Sequence, residues 1–281
     1  MVAATPPVAE LPLDWTPSNE TRLLGENEIH LWFLDATGLK SALGDDGILG
    51  FLNPREVDRS QRILAEDKRE LYIAGRAGLR ILLGQYAATA PLDIEFAYGE
   101  RGKPSMPDQG PGAGIEFNYS VSSGYAIYAF ARNITLGIDL EIFPRDIEVG
   151  LFARRILGPV ELRTWKRFNE AQANAAMLAC WTRKEAYGKP LGVGIRYNMY
   201  QAELFTETRS PRWSAPVTGL FEEAGGHYSS EVQGTQLSLP VAGAATLMYD
   251  CNKDYNPASG SDSAPPRLIP FTYSTQRKDK P

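Results

Sequence analysis

Apolar and polar positions alternate through Glu28-Ile-His-Leu-Trp-Phe-Leu34, which predicts a first strand. Asn53-Pro54-Arg55-Glu56 reads as a helix opening, with Pro54 in the first turn. The clearest helical pattern of the first half runs over residues 67–86. Leu71, Ala74, Gly75, Gly78, Ile81 and Leu82 recur near a 3.6-residue period there, and Arg69, Arg76 and Arg80 lie elsewhere around the helix. Further strands are predicted at 94–98, 115–118, 125–132 and 135–142, with a Gly/Pro-rich turn at 110–114. Helical segments follow at 149–157 and 159–188, the latter broken near Asn169. The last strands are expected at 199–205, 227–233, 236–239 and 244–249.

Each half thus offers a helix pair and several strands, which predicts an α+β fold with two lobes. The expected divisions are an irregular arm over 1–25, a first lobe over 26–134, a second over 135–251 and a disordered tail over 252–281. At 281 residues and 43% hydrophobic, the chain has ample material for a core. Its formal charge of −5 excludes a global basic field of the kind that holds nucleic acid, so any anionic ligand must be met by local Lys and Arg. Two cysteines, Cys180 and Cys251, lack metal-type spacing, and two histidines are too few for a zinc cluster or to support a Ser-His-Asp triad. A reduced, cytoplasmic protein is expected. No apolar stretch reaches the length of a membrane span, and the first residues do not read as a secretory signal.

Chemistry concentrates in four segments. Gly137-Ile-Asp-Leu-Glu141 puts Asp139 and Glu141 at i and i+2, on one face of a strand. Such acids are either simply solvated or held together by a cation, and oxygen ligands without His or Cys favour Mg²⁺ over zinc. Trp181, Glu185 and Lys189 share a helix face at spacing four. Glu185 and Lys189 alone would be an ordinary i,i+4 pair. With Trp181 beside them, Lys184 adjacent, and Gly188, Gly192 and Gly194 following, they also suit a metal-bound diphosphate. Arg101-Gly102-Lys103-Pro104 is a tight basic turn, and Phe117-Asn118-Tyr119-Ser120-Val121-Ser122 supplies amide and hydroxyl groups at a strand end. Either could be a plain turn or a phosphate contact.

Taken in order, RGKP, FNYSVSSG, GIDLE and WTRKEAYGK resemble the motif set of the surfactin-synthetase-type 4′-phosphopantetheinyl transferases, over roughly residues 59–194. The resemblance implies a pseudo-dimer of two similar α+β lobes with the active site in the cleft between them. It implies transfer of phosphopantetheine from coenzyme A to a serine of an acyl or peptidyl carrier protein, releasing 3′,5′-ADP, with Mg²⁺ or alternatively Mn²⁺. Asp139, Glu141 and Glu185 match the family's metal acids, Glu185 also its proposed base, and Lys189 the lysine at the diphosphate, with Lys184 beside it. Lys103 and Ser120 match positions near the adenosine 3′-phosphate, and Arg59 matches a basic coenzyme contact. Arg101, Gly102, Pro104, Asn118 and Tyr119 complete the coenzyme set. Val121 departs from the pattern, because the family carries a histidine there. That departure is the sole support for a rival reading, a weak coenzyme A or carrier-protein binding module. A second rival, an Mg²⁺-dependent hydrolase of nucleotides or diphosphates, leaves the RGKP and FNYS segments unexplained.

The carrier proteins implied are acidic and helical. Arg154, Arg155, Arg163, Lys166 and Arg167, around an apolar centre of Leu157, Leu162, Trp165 and Phe168, are the expected dock. A monomer would suffice, since the implied cleft already has two lobes.

Overall fold

The computed structural model describes residues 9–99, 102–143, 148–190, 204, 212–216, 231–250 and 265–273. They fall into two compact units. One holds the described residues of Asp14–Asn133 and Ser263–Pro281, the other those of Met1–Leu13 and Ile134–Asp262. The fold is α+β in each. The predicted strand at 199–205 lies outside the described residues except for Leu204. Among the described residues, no helix is long and apolar enough to cross a membrane.

The first unit contains β1 (Thr16–Ser18), β2 (Glu28–Asp35), α1 (Ala36–Leu49), α2 (Pro54–Gln61), α3 (Glu66–Tyr86), β3 (Ala97–Tyr98), β4 (Pro104–Ser105), β5 (Ile115–Ser122) and β6 (Tyr125–Arg132). A strand from much later in the chain, β11 (Arg267–Tyr273), joins them, giving a five-stranded sheet in the order β1-β11-β2-β6-β5. β11 runs parallel to both β1 and β2. This corrects two expectations: the arm contributes a short strand, and the tail is ordered over β11. Phe271 stacks on Trp32 at 4.5 Å, so aromatic burial holds a segment whose composition suggested disorder.

α3 lies against this sheet through small residues. A Cβ on Gly78 would stand 2.4 Å from the Tyr128 hydroxyl, which itself donates to the Gly75 carbonyl at 3.0 Å. The two arginines placed off the apolar face are in fact buried, Arg76 at 3% and Arg80 at 0% exposure. Arg80 donates to Glu56 Oε2 at 2.6 Å and to the Pro91 and Ile94 carbonyls. Glu56 also caps α2 in a reciprocal box with Asn53. By tying down that connection, Arg80 favours a 3₁₀ turn at Pro91–Asp93, and the strand expected over 94–98 shrinks to β3.

α1 was not predicted. Its fourteen residues include three glycines, and the backbone turns at Gly44 with φ +71°. The helix starts because Asp35 accepts the Gly38 amide at 2.9 Å.

A polar chain crosses the core of this unit. Trp32 Nε1 donates to the Tyr86 hydroxyl at 2.9 Å, so that hydroxyl donates onward to His30 Nδ1 at 2.8 Å. His30 Nε2–H then faces Glu28 Oε2 at 3.2 Å, which assigns a neutral imidazole with its proton on Nε2. Arg267 on β11 and Arg22 also reach Glu28.

The second unit contains β7 (Thr135–Ile142), α4 (Val149–Ile156), α5 (Pro159–Trp165), α6 (Glu170–Gly188), β8 (Arg212–Pro216), β9 (Glu231–Leu237) and β10 (Gly243–Asp250). Its sheet is antiparallel throughout, in the order β7-β10-β9-β8. β9 is continuous where two strands were expected. The break before α6 falls at Asn169, whose side chain accepts the Gln172 amide while Gln172 returns the bond.

Replacing Phe271 by Ala is expected to lower stability by roughly 2 kcal/mol, less than a fully buried Phe because β11 is half-buried. Urea unfolding would read this, whereas a disordered tail would give no change. Burial holds the His30 pKa below its ordinary 6.5, so the unfolded chain takes that proton first. Stability should therefore fall as pH drops below about 6.5. Glu28, lowered to about 2 chiefly by its hydrogen bond to Arg267, should add a separate loss only below its ordinary 4.5. Urea midpoints from pH 8 to 3 should resolve the two windows, and His30→Gln should remove the first.

Candidate metal and phosphate site

β7 presents its odd-numbered residues toward α6. Gly137 makes the contact close: a Cβ there would lie 2.1 Å from the Ala186 carbonyl and 2.6 Å from Pro190 Cδ. Beyond Gly137 on this face come Asp139 and Glu141, exposed by only 5% and 7%. Trp181 Nε1 donates to Glu141 Oε1 at 2.8 Å. Lys189 Nζ donates to Asp139 Oδ1 and to the Ile138 carbonyl, both at 2.7 Å. The helix therefore runs antiparallel to the strand, and Glu185 stands one turn from both Trp181 and Lys189. The eight-residue step from Trp181 to Lys189 rises about 12 Å. A strand's i to i+2 step spans about 7 Å. Long side chains at both ends close the difference.

Glu185 is the unusual group. Its Oε1 is buried without a hydrogen-bond partner. Burial, then the negative charge of Asp139, pushes its carboxyl up to about 7; Lys189 opposes this and Glu141 adds to it. A half-buried carboxyl with an orphaned oxygen beside two further acids is a set that a cation would stabilise. The donors are all oxygen, which suits a hard ion such as Mg²⁺. Among the described residues, no three acids, histidines or cysteines converge into a ready metal cage. Mg²⁺ commonly takes one or two carboxylates and shares the rest of its coordination with substrate phosphates and water. Asp139, Glu141 and Glu185 are the residues that would hold it.

Lys184 has another place. Its ammonium is 2.7 Å from Glu161 Oε2, with both side chains about 1% exposed. Glu161 also accepts the Gly158 and Leu204 amides at 2.8 Å. Lys184 is thus a buried tie between α5 and α6, and the expectation that it meets phosphate is corrected. One step along a helix is a 100° rotation, which carries it off the face of Trp181, Glu185 and Lys189.

The other expected coenzyme residues belong to the first unit. Gly102 has φ +78° and hydrogen bonds to the Gly99 carbonyl, while Lys103 and Pro104 close the β3–β4 turn. Burial lowers the Lys103 pKa, with Glu116 opposing. Arg101 lies outside the described residues. On β5, Asn118 and Ser120 are buried, whereas Tyr119 and Val121 pack toward α3. Val121 Cγ1 fills the space that a Cβ on Gly75 would need. Arg59 is exposed on α2 and lies 5.5 Å from the centre of the Tyr72 ring. The burial of Arg76 and the half-buried place of Tyr72 were not foreseen. Their signal was the spacing of four that Tyr72, Arg76 and Arg80 share.

The basic residues expected around α4 and α5 are exposed, whereas the apolar residues expected at their centre turn inward. Arg154, Arg155, Arg163, Lys166 and Arg167 are all exposed on and beside α4 and α5. Leu157 is buried, and Leu162 and Trp165 pack inward on Ala153, Ile156 and Met177. Trp165 Nε1 donates to the Ala173 carbonyl at 2.9 Å. The apolar side chains left open are Leu151 and Val160, at 52% and 46% exposure.

A strand bearing paired carboxylates beneath a helix bearing an acid and a lysine defines a class of site suited to a cation and an anion together. A family profile described as the 4′-phosphopantetheinyl transferase superfamily matches residues 135–243, from the first residue of β7 onward. The 4′-phosphopantetheinyl transferase HetI of Nostoc sp. is 32% identical over 74% of this chain and 87% of its own length. The 4′-phosphopantetheinyl transferase Sfp of Bacillus subtilis is 25% identical over 54% of this chain and 65% of its own. The L-aminoadipate-semialdehyde dehydrogenase-phosphopantetheinyl transferase of Mus musculus is 26% identical over 54% and 52%. The chain belongs to the 4′-phosphopantetheinyl transferase family.

Gly137→Ala should force β7 and α6 apart, because backbone and ring atoms rather than a flexible side-chain end meet the new methyl. A stability loss of about 1–3 kcal/mol is expected. Any transferase activity of the folded fraction should fall more than tenfold, read by comparing thermal unfolding with turnover. Full activity would mean that α6 need not lie so close.

Proposed function

We propose that this protein transfers 4′-phosphopantetheine from coenzyme A to a serine of an acyl or peptidyl carrier protein, releasing 3′,5′-ADP, with Mg²⁺ required. The observation that carries this reading is Glu185, a carboxyl raised to about 7 and held beside Asp139, Glu141 and Lys189. In the reaction, the serine oxygen forms a bond to the pantetheine-side phosphorus. The bond from that phosphorus to the bridging oxygen breaks, and the electron pair leaves with 3′,5′-ADP. Glu185, whose carboxylate a bound Mg²⁺ would keep ionised, takes the serine proton. Lys189 can exchange part of its contact with Asp139 for a phosphate oxygen. Bound Mg²⁺ would neutralise charge developing on the phosphates. Lys184 acts at a distance, by fixing α6 against α5.

The carrier protein would meet the exposed arginines of α4 and α5, with Leu151 and Val160 as apolar anchors. Phe152 packs on Trp181 at 4.8 Å, so the same helix that offers this surface buttresses the site. A reduced cytoplasmic setting suits the buried Cys180 thiol. The rival reading, a binding module without transfer, rests on Val121 alone.

Intact mass of an apo-acyl carrier protein after incubation with coenzyme A and Mg²⁺ tests the proposal. A gain of one phosphopantetheine is expected, abolished by chelator and reduced at least a hundredfold in rate by Glu185→Ala, on the scale of a lost general base. No gain with several carriers at millimolar coenzyme A would favour the binding module.

A further inference from the structure

α6 is tied to its sheet by a row of three neighbouring side chains. Asp139 on β7 pairs with Thr246 on β10, and Thr246 pairs with Gln236 on β9. Residues opposite one another in an antiparallel sheet point to the same face, so all three lie beneath the helix. Each meets a different residue of α6 or of its C-terminal cap. Asp139 accepts Lys189 Nζ at 2.7 Å, the Thr246 hydroxyl stands 2.9 Å from that of Thr182, and Gln236 Oε1 accepts Arg183 Nε at 3.4 Å. Thr182, Arg183, Gln236 and Thr246 are at most 1% exposed.

These bonds run in one direction. Gln236 gives its amide to the Ala245 carbonyl at 2.8 Å, which leaves Oε1 toward Thr246 at 3.1 Å. That oxygen can only accept, so Thr246 donates to it and Thr182 donates to Thr246. Arg183 Nη1 also donates to the Leu204 carbonyl at 3.0 Å, and Lys184 donates to Glu161. Successive residues on a helix point about 100° apart. Thr182, Arg183 and Lys184 therefore face three directions and are held in all three, which opposes rolling of α6 in either sense. Buried polar networks of this kind are stiff and specify one arrangement. Glu185 is the next residue along, beside Asp139 and Glu141, where like charge pushes it away.

We propose that Thr246 and Gln236 are positioning residues of the site: through Thr182 and Arg183 they fix the roll of α6, so that Glu185 stays against Asp139 and Glu141. A helix free to roll would relieve the repulsion among the acids by carrying Glu185 away from them. Both residues are buried beneath the helix, and their effect passes through it. The proposal rests on the transferase reading only in naming the reaction that this placement serves. Removing the Thr246 hydroxyl need not unfold the unit. In Thr246→Val the Thr182 hydroxyl can turn to the Ala179 carbonyl at 3.0 Å, and Gln236 keeps Arg183 and Ala245.

Thr246→Val and Thr246→Ser, compared with the wild type, test this through two readouts. The first is the indole N–H resonance of Trp181, whose bond to Glu141 makes it a reporter of how α6 seats on β7. Trp181→Phe assigns that resonance. The second is kcat and KM for coenzyme A in carrier modification. Thr246→Val should shift the resonance and lower kcat by about ten- to a hundredfold with KM little changed, the scale of a reacting group misplaced by about an ångström. Thr246→Ser, which keeps the hydroxyl, should restore both. If Thr246→Val fails to fold, Thr182→Val breaks the same bond from the helix side and is read in the same way. An unmoved resonance or a full kcat in the folded valine variant would overturn the proposal and leave Thr246 a packing residue, as would a serine variant no better than valine. If the wild type modifies no carrier, the transferase reading fails, and the resonance alone then decides whether Thr246 seats the helix.

Discussion

Three carboxylates are gathered on one face of the second unit, and the local structure is organised around the cost of doing so. Like charges at this separation raise one another's pKa, and burial raises it further, which brings Glu185 to about 7. Lys189 offsets part of that cost through Asp139, and the Trp181 indole offsets another part through Glu141. Neither reaches Glu185 Oε1. Such an arrangement persists only if helix and strand cannot move apart, and Gly137 under Ala186 and Pro190 provides that constraint. The residual repulsion is then available to a cation, or to a proton removed from a substrate.

Charge in the first unit is arranged with the opposite sign. Two buried arginines face a single carboxylate, and aromatic rings line the excess. Both units store an electrostatic imbalance in a water-poor place, where charges act more strongly than at the surface. The net charge of −5 gave no hint of this, because it is a sum over the whole chain. Local placement is what governs recognition of an anion.

Elements with strict periodicity were legible in the sequence. β6 and β7 occupy the residues that alternation predicted, and α3 begins within one residue of its expected start. The acids on β7 and the Trp181, Glu185, Lys189 stripe followed from spacing alone. α1 did not, because three glycines obscure its pattern and its start depends on a single Asp35 cap. β11 did not, because a strand held by Trp32 stacking and by pairing with β2 needs partners more than two hundred residues away. Lys184 was misread through adjacency to Glu185, although helix geometry turns neighbouring side chains about 100° apart.

Position 121 links what the motif predicted to what the fold provides. A histidine there would have to occupy the face of β5 that packs on α3, where Val121 already fills the space beside Gly75. Valine gives that contact apolar packing, and no titratable group is added beside Tyr119 and Arg76. The positive charge on this side of the sheet is therefore a guanidinium, permanent at any physiological pH, rather than an imidazole that titrates near neutrality.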